Sequence, residues 1–567
     1  MTLTRRDFGA LALSPLAVAA LPGWAQPVSQ PMAMNLAPVT DWATQQPFLD
    51  IMKTARRWIG HLPGQWGGVE FDALAARGIF DAQGWPKEIP SDLGSIGTLV
   101  LTDLPEDADL AGRYVLRFDG SGIVEVAGRA TNKRYGKGEI SFDFTPGPGP
   151  VEIRIQRSDR RGTGDYIRNI TVTRAEDRAA FEEGRVFRTG FLDMLRGCTA
   201  LRFMDWMNTN DSRQGDWNAR PKPTDFSYTR LGIPAEVMID LANTLECDAW
   251  FNMPHLAEDT YLRAFAELVK AGLAPSRRVY VEQSNEVWNW QFEQTEWADA
   301  QAEARWGQEH RGAQFHGMRA AHVARIWAEI FNGADRTRLI NVIATQTGWL
   351  GLERDILGAP LYVAENPAQN LPPHTVFDAY AVTGYFGHSL GTDRRADLMH
   401  DWLDQSRAKA EDEAVSMGLT GAALSDHVTA HQYDQAVMLA AAELRDGSVT
   451  GQAEDSIADL LGRVLPYHAG VAAEHDLQLL MYEGGTHVVG IGSQVEDIAL
   501  TAFFTHLNYT PQMGALYDTL LAGWFDLTGG IFSHYADMQA PGKWGSWGAL
   551  RYPGDTNPRW DAIARLL

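Results

Sequence analysis

Eight short apolar segments, each ending in polar or aromatic residues, constrain this chain more than any other feature. They cover residues 34–39, 200–204, 249–253, 279–281, 339–344, 377–382, 477–481 and 530–532. Strands covered on both faces read as near-continuous apolar runs of this kind. Between several of them, apolar residues return every three or four positions, over 234–245, 260–271 and 314–331, which predicts helices. Alternating strand and helix predicts a parallel sheet. Eight such units suit a closed (β/α)8 TIM barrel better than an open sheet.

Two stretches depart from that rhythm. Residues 47–58 carry Phe48, Ile51, Met52 and Ala55 at helical spacing behind Pro47, which predicts the first barrel helix. From there the pattern changes to short alternating segments, 98–104, 113–118, 123–126, 140–144, 151–156 and 167–172. They are separated by turn sequences such as Asp119-Gly120-Ser121-Gly122 and Pro146-Gly147-Pro148-Gly149. This predicts a β-sandwich-like domain inserted after the first strand and helix. The boundaries read as 26–61 for that strand and helix, 62–178 for the insertion and 179–567 for the rest of the barrel. Tyr114, Tyr135 and Tyr166 are too scattered to mark a sugar-binding face on the insertion. Residues 389–473 form a mostly helical stretch longer than an ordinary connection, expected to elaborate the barrel rim.

At the N-terminus, Thr4-Arg5-Arg6-Asp7-Phe8 precedes an apolar run from Ala10 to Ala20 and small residues around Gly23 and Ala25. This resembles a twin-arginine-type signal peptide over residues 1–25. The mature chain is expected in the periplasm or outside the cell. No later segment reaches ~18 uninterrupted apolar residues, so no membrane partner is expected. Lys and Arg number 49 against 72 Asp and Glu, a net charge of −23, which disfavours nucleic acid as a partner. A neutral polysaccharide or oligosaccharide meets no such penalty, and 19 tryptophans offer flat faces for sugar rings. The two cysteines, Cys198 and Cys247, stand before neighbouring strands and leave one bridge or two buried thiols open. With no CxxC or HExxH pattern, neither a metal nor an organic cofactor is expected.

In a barrel of this type the strand C-termini form the active face. The strand ends here carry Asp205, His255, Glu286, Gln346, Tyr385, Glu483 and Tyr535. Glycoside cleavage needs two carboxyl groups flanking one bond. Val281-Glu282-Gln283-Ser284-Asn285-Glu286-Val287-Trp288-Asn289 ends the fourth segment and Tyr482-Glu483-Gly484-Gly485 the seventh, across the mouth from each other. Glu282 lies deeper and is read as a hydrogen-bonding support.

Asn285-Glu286 at the end of strand four and Glu483 at the end of strand seven resemble the signature of glycoside hydrolase clan A, the retaining (β/α)8-barrel glycosidases. No single family within it is matched, and the inserted β-domain departs from its commonest members. The resemblance implies Glu286 as acid/base, Glu483 as nucleophile and Asn285 as partner of the sugar 2-hydroxyl. It further implies that Arg202 orients the nucleophile, that Tyr385 contacts it and that His255 binds substrate. Trp544 or Trp547 would floor the cleaved sugar, and Trp288 would line leaving-group subsites. The expected activity is retaining hydrolysis of a β-linked glucan, xylan, mannan or related oligosaccharide. Alternatives are a transglycosylase, separable by product analysis with added acceptor, and a non-catalytic carbohydrate-binding barrel, which has no need of both carboxylates.

Overall fold

The computed structural model describes residues 30–567; the N-terminal signal reading lies outside them. Eight parallel strands close into a barrel: Met32–Asn35, Ala200–Arg202, Asp248–Met253, Val279–Gln283, Leu339–Ala344, Ala379–Phe386, Gln478–Thr486 and Phe532–His534. The first pairs with the eighth, Ala33 facing Ser533, which completes the ring. All eight expected strands are present, with ends shifted by a few residues.

Strand side chains alternate between the two faces. Leu201, Phe251, Val279 and Val281 turn outward into the large core shared with the helices. Ala33, Ala200, Trp250, Tyr280, Val342, Ala379 and Leu480 fill the interior. The same alternation carries Arg202, two positions after Ala200, and Glu282, two after Tyr280, to the inside near the strands' C-terminal ends. Parity alone therefore brings a guanidinium and a carboxylate into the barrel.

The expected helix over 47–58 does not form. Only a 3-10 turn is present, Ile51–Thr54, capped by the Asp50 carboxylate, which accepts the backbone N–H groups of Met52 (3.0 Å) and Val172 (2.9 Å). The reason is a divided allegiance. Phe48 packs into the barrel core against Trp206 and Tyr228, while Ile51, Met52, Ala55 and Trp58 belong to the separate core of the insertion. One helix face cannot serve two cores, and tertiary packing overrides the spacing.

The first barrel helix is instead Thr189–Leu195, which follows the insertion. The insertion thus occupies the loop between the first strand and the first helix, on the side of the barrel where active sites form. It begins before residue 62, since strand Ile59–His61 already pairs with Ser95–Val100. It consists of two antiparallel sheets. One has the order Arg168–Arg174, Gly112–Asp119, Glu139–Phe144, Thr131–Gly136. The other has the order Gly68–Val69, Ile59–His61, Ser95–Val100, Val151–Ser158, Gly122–Gly128. Thr131–Gly136 gave no sequence signal because it is an edge strand exposed along its whole length. Tyr114 is fully buried between the sheets, its hydroxyl donated to the Leu110 carbonyl at 2.8 Å.

After the sixth strand comes the long helical excursion: Ala396–Ser416, Gly421–His431, Asp434–Asp446 and Leu465–Glu474, with a π turn at Leu460–Val464. Its near end forms one wall of the cleft at the barrel mouth.

Cys198 and Cys247 are both free and buried. Burial pushes both thiols up, that of Cys247 to about 12, which suppresses the reactive thiolate. Neither thiol should react with a disulfide reagent in the native protein, both should react in denaturant, and a reductant should leave the melting temperature unchanged. A thiol titration with and without guanidinium checks this.

Candidate active site

The fourth strand ends at Gln283, and the chain then turns sharply. Ser284 and Glu286 both adopt left-handed backbone conformations, with φ of 59° and 42°. For side chains other than glycine this costs of order 1 kcal/mol each, and such strain persists only where surroundings over-determine it. Here Gln294 supplies that support, donating to the Asn285 carbonyl at 2.8 Å and to the Asn210 side-chain oxygen at 2.8 Å. The turn lifts the Glu286 carboxylate into the cleft. There it accepts hydrogen bonds from the Tyr482 hydroxyl (3.0 Å) and the Asn289 amide (2.9 Å).

On strand seven, strict alternation would send Glu483 outward, because Leu480 and Tyr482 face inward. A β-bulge prevents this. Against strand six, Val382 pairs with Met481 but Thr383 pairs with Glu483, so Tyr482 is an extra residue in the ladder. Tyr482 and Glu483 consequently both face the interior. The Asn35 amide holds the bulge by donating to the Tyr482 carbonyl at 2.9 Å.

Arg202, fully buried, joins these parts. Its Nε and Nη2 donate to the Glu282 carboxylate at 3.0–3.1 Å. Nη2 also reaches the Asn285 side-chain oxygen at 2.9 Å, and Nη1 reaches Glu483 at 2.6 Å and Asn35 at 3.1 Å. The guanidinium lies against the rings of Trp250 and Tyr482, 5.7 and 5.1 Å from their centres. Glu282 is further tied by the Trp250 indole (2.9 Å) and the Asn252 amide (2.8 Å), which makes it a support rather than an acid facing the cleft. The second oxygen of Glu483 accepts the Tyr385 hydroxyl at 2.9 Å.

One guanidinium therefore serves two carboxylates in a dry interior. Burial pushes the Glu483 carboxyl up to about 8; Arg202 opposes the rise, Glu286 adds to it, and the hydrogen bond from Tyr385 lowers it. Burial also raises Glu282 against the pull of Arg202. Burial works against the charge of Arg202, but its two carboxylates overcome that and hold it above its ordinary value. Tyr385 and Tyr482 are pushed well up by burial and the neighbouring carboxylates, so both remain donors.

The cleft has a volume of about 1350 Å³, and Glu286, Glu483, Tyr385, Trp288, Trp290, Trp544 and Trp547 line it. Trp544 is 70% exposed at the rim. Trp547 stands edge-on to Tyr385, His487 and Tyr535, with ring centres 5.9, 5.0 and 5.8 Å apart. His255 is not brought to the cleft. It is 3% exposed, packed edge-on against Trp297 at 5.3 Å, and burial lowers it to about 4. Trp206 is likewise core, its indole donated to the Ala37 carbonyl at 3.2 Å. Asp205 accepts the Tyr535 hydroxyl at 3.2 Å.

Asn35, Asn210, Asn252 and Tyr482 belong to the site but gave no sequence signal, since their roles depend on partners far along the chain; Asn289, three residues from its partner Glu286, stood in the strand-end motif with no role read for it. Among the described residues, no cluster of three or more His, Cys, Asp or Glu is arranged to hold a metal ion.

No family model matches the chain, and no curated protein matches it. Among solved structures, it is similar to a 4-O-α-L-rhamnosyl-β-D-glucuronidase from Fusarium oxysporum 12S, at 10% identity and a TM-score of 0.33. That match covers 66% of this chain and 62% of the Fusarium chain. A fungal β-1,4-galactanase is similar at 10% identity and a TM-score of 0.28, with 63% of this chain and 85% of that chain covered. A glycoside hydrolase family 5 mannosidase from Rhizomucor miehei is similar at 10% identity and a TM-score of 0.24, with 69% and 88% covered. The chain thus spans less than two thirds of the length of the Fusarium protein, and likeness at this level decides nothing about chemistry.

Replacing Arg202 by Met should cost about 3–5 kcal/mol, because Glu282 and Glu483 are left buried without their cation. Both carboxyls would then rise further. A carboxyl raised in the folded state contributes least when ionised, so the deficit should be larger at pH 8 than at pH 5. Denaturant unfolding of both proteins at the two pH values checks the size and the sign.

Proposed function

We infer that this chain is a retaining glycoside hydrolase acting on a β-linked polysaccharide or oligosaccharide, with Glu483 as nucleophile and Glu286 as acid/base. The carrying observation is that carboxylates from strands four and seven enter one aromatic-lined cleft, one bonded to Arg202 and Tyr385 and the other to Tyr482 and Asn289. The arrangement is similar to that of glycoside hydrolase clan A. The signal-like residues 1–25 support export to the periplasm or beyond.

In the first step a Glu483 oxygen attacks the anomeric carbon as the glycosidic bond breaks, and the Glu286 proton passes to the leaving oxygen. In the second, Glu286 takes a proton from water, the water oxygen bonds the anomeric carbon, and Glu483 leaves as carboxylate. Asn285 is held by Arg202 and Asn210 and keeps one N–H for the sugar 2-hydroxyl, a contact that strengthens as charge develops. Trp547 offers an aromatic face to the ring at the point of cleavage, and Trp288, Trp290 and Trp544 extend that face along the cleft.

Glu483→Gln should lower turnover by several orders of magnitude while sugar binding persists. Glu286→Ala should lose roughly 10²–10⁴-fold on a natural glycoside. It should keep much of its rate on an aryl glycoside whose leaving group needs no proton, and added azide should then give the β-glycosyl azide. Early-time NMR of wild-type products from a β-linked substrate should show the β-anomer first; initial α-anomer rejects retention.

The pH dependence carries a further mark. Attack needs ionised Glu483, whose carboxyl burial raises toward 8, so its titration should appear as a limb of the kcat/KM profile above the usual carboxylate range. Tyr385→Phe removes a donor to the ionised form and should move that limb to still higher pH. A kcat/KM profile of both proteins from pH 5 to 9 tests this.

A further inference from the structure

A second pocket, of about 510 Å³, adjoins the cleft on the side of strand two and falls within the ~300–1,000 Å³ of small-molecule sites. One wall comes from the insertion, through Arg57 and Phe71; the other comes from the loop after strand two, through Asp205, Asn210, Gln214 and Arg230. The pocket is one side chain from the reacting centre. Asn210 accepts the Asn285 amide at 3.1 Å, and Asp205 accepts the hydroxyl of Tyr535, whose ring meets Trp547.

Three guanidiniums line the pocket, and one of them is paired: Arg213 meets Glu293 at 2.7 Å. Arg57 is exposed and Arg230 half-buried, and neither side chain has a hydrogen bond or ion pair among the described residues. They are near enough that the charge of Arg57 helps lower Arg230, after burial; Asp225 pulls the other way without contact. Neither pocket carboxylate answers them. Asp205 is engaged by Tyr535, and Asp211 accepts the Glu293 backbone N–H at 2.7 Å. Arg57 is set over the Phe71 ring, 5.7 Å from its centre. Gln214, only 7% exposed, keeps a side-chain oxygen with no partner, an acceptor suited to a hydroxyl.

Two unpaired guanidiniums lining one pocket, an orphaned acceptor and apolar patches from Pro38, Phe71 and Leu231 describe a site for a sugar bearing an anion. We propose that this pocket binds an acidic sugar residue next to the one cleaved, with Arg57 and Arg230 together holding its carboxylate or sulfate group. Guanidinium forks match such groups through paired hydrogen bonds. The overall charge of −23 opposes an anion only at long range, since screening confines it within about 8 Å at physiological salt. This makes the substrate a β-linked glycan with uronic acid or sulfated residues rather than a neutral one, and it rests on the hydrolase reading above.

The test compares three probes: oligosaccharides containing uronic acid, the same oligosaccharides reduced at the carboxyl to the neutral sugar, and O-sulfated neutral oligosaccharides. Binding is measured by calorimetry in the Glu483→Gln protein, with and without Arg57→Gln and Arg230→Gln, after melting curves confirm native folding. Wild-type kcat/KM on the same probes gives the second readout. The expected result is a preference of roughly ten- to hundred-fold for an anionic probe over its neutral twin, as charge-assisted hydrogen bonds provide. That preference should vanish in the double-glutamine variant. The carboxylate and sulfate arms identify which anion is held. Equal affinity for acidic and neutral probes, or a preference that survives both substitutions, overturns the proposal. Absence of turnover with the binding preference intact would instead count against the hydrolase reading alone.

Discussion

The structure is organised around one buried cation. Arg202 stands inside the barrel without solvent contact, and its five N–H groups are all directed at oxygen acceptors on Glu282, Glu483, Asn35 and Asn285. A buried guanidinium is tolerable only when paired and fully hydrogen-bonded. That demand ties strands one, two, four and seven together at the depth where the cleft begins. The cation also leaves the site short of positive charge, with two carboxylates sharing it, so the ionisation of Glu483 is finely balanced rather than assured.

The two cleft carboxylates are delivered by irregular backbone. Glu483 faces inward only because Tyr482 is bulged out of the ladder, and Glu286 enters the cleft only because two residues near it occupy left-handed conformations. These departures have named supports: Asn35 on the bulged carbonyl and Gln294 on the strained turn. Tyr482 then serves both sides, packing on Arg202 and donating to Glu286, so the bulge couples the two carboxylates through one side chain.

The insertion is more than a passenger. By leaving the barrel directly after the first strand, it emerges at the active face, whereas insertion after the first helix would have placed it at the opposite end. Its own buried core, from Trp58 and Ile96 to Val172, makes it a firm wall, and Arg57 and Phe71 extend that wall to the loop after strand two. Residues 47–58 conceal this at the level of sequence. Helical spacing in Phe48, Ile51, Met52 and Ala55 records two destinations, one core for the first residue and another for the rest, and periodicity cannot separate the two.

What the sequence by itself determined is the chemistry that lies on regular strands. The eight apolar runs, the inward parity of Arg202 and Glu282, and the strand-end positions of Glu286, Tyr385 and Glu483 follow from period and order alone. Only the tertiary structure decided the rest. It set Glu483 inward against its parity, sent His255 and Trp206 into packed surroundings, and recruited Asn35, Asn210 and Tyr482 from distant segments. It also left Arg57 and Arg230 lining one pocket without a partner. The physical reason is that alternation and spacing are local properties of a chain, whereas bulges, hydrogen-bond partners and unpaired charges are fixed by neighbours hundreds of residues away.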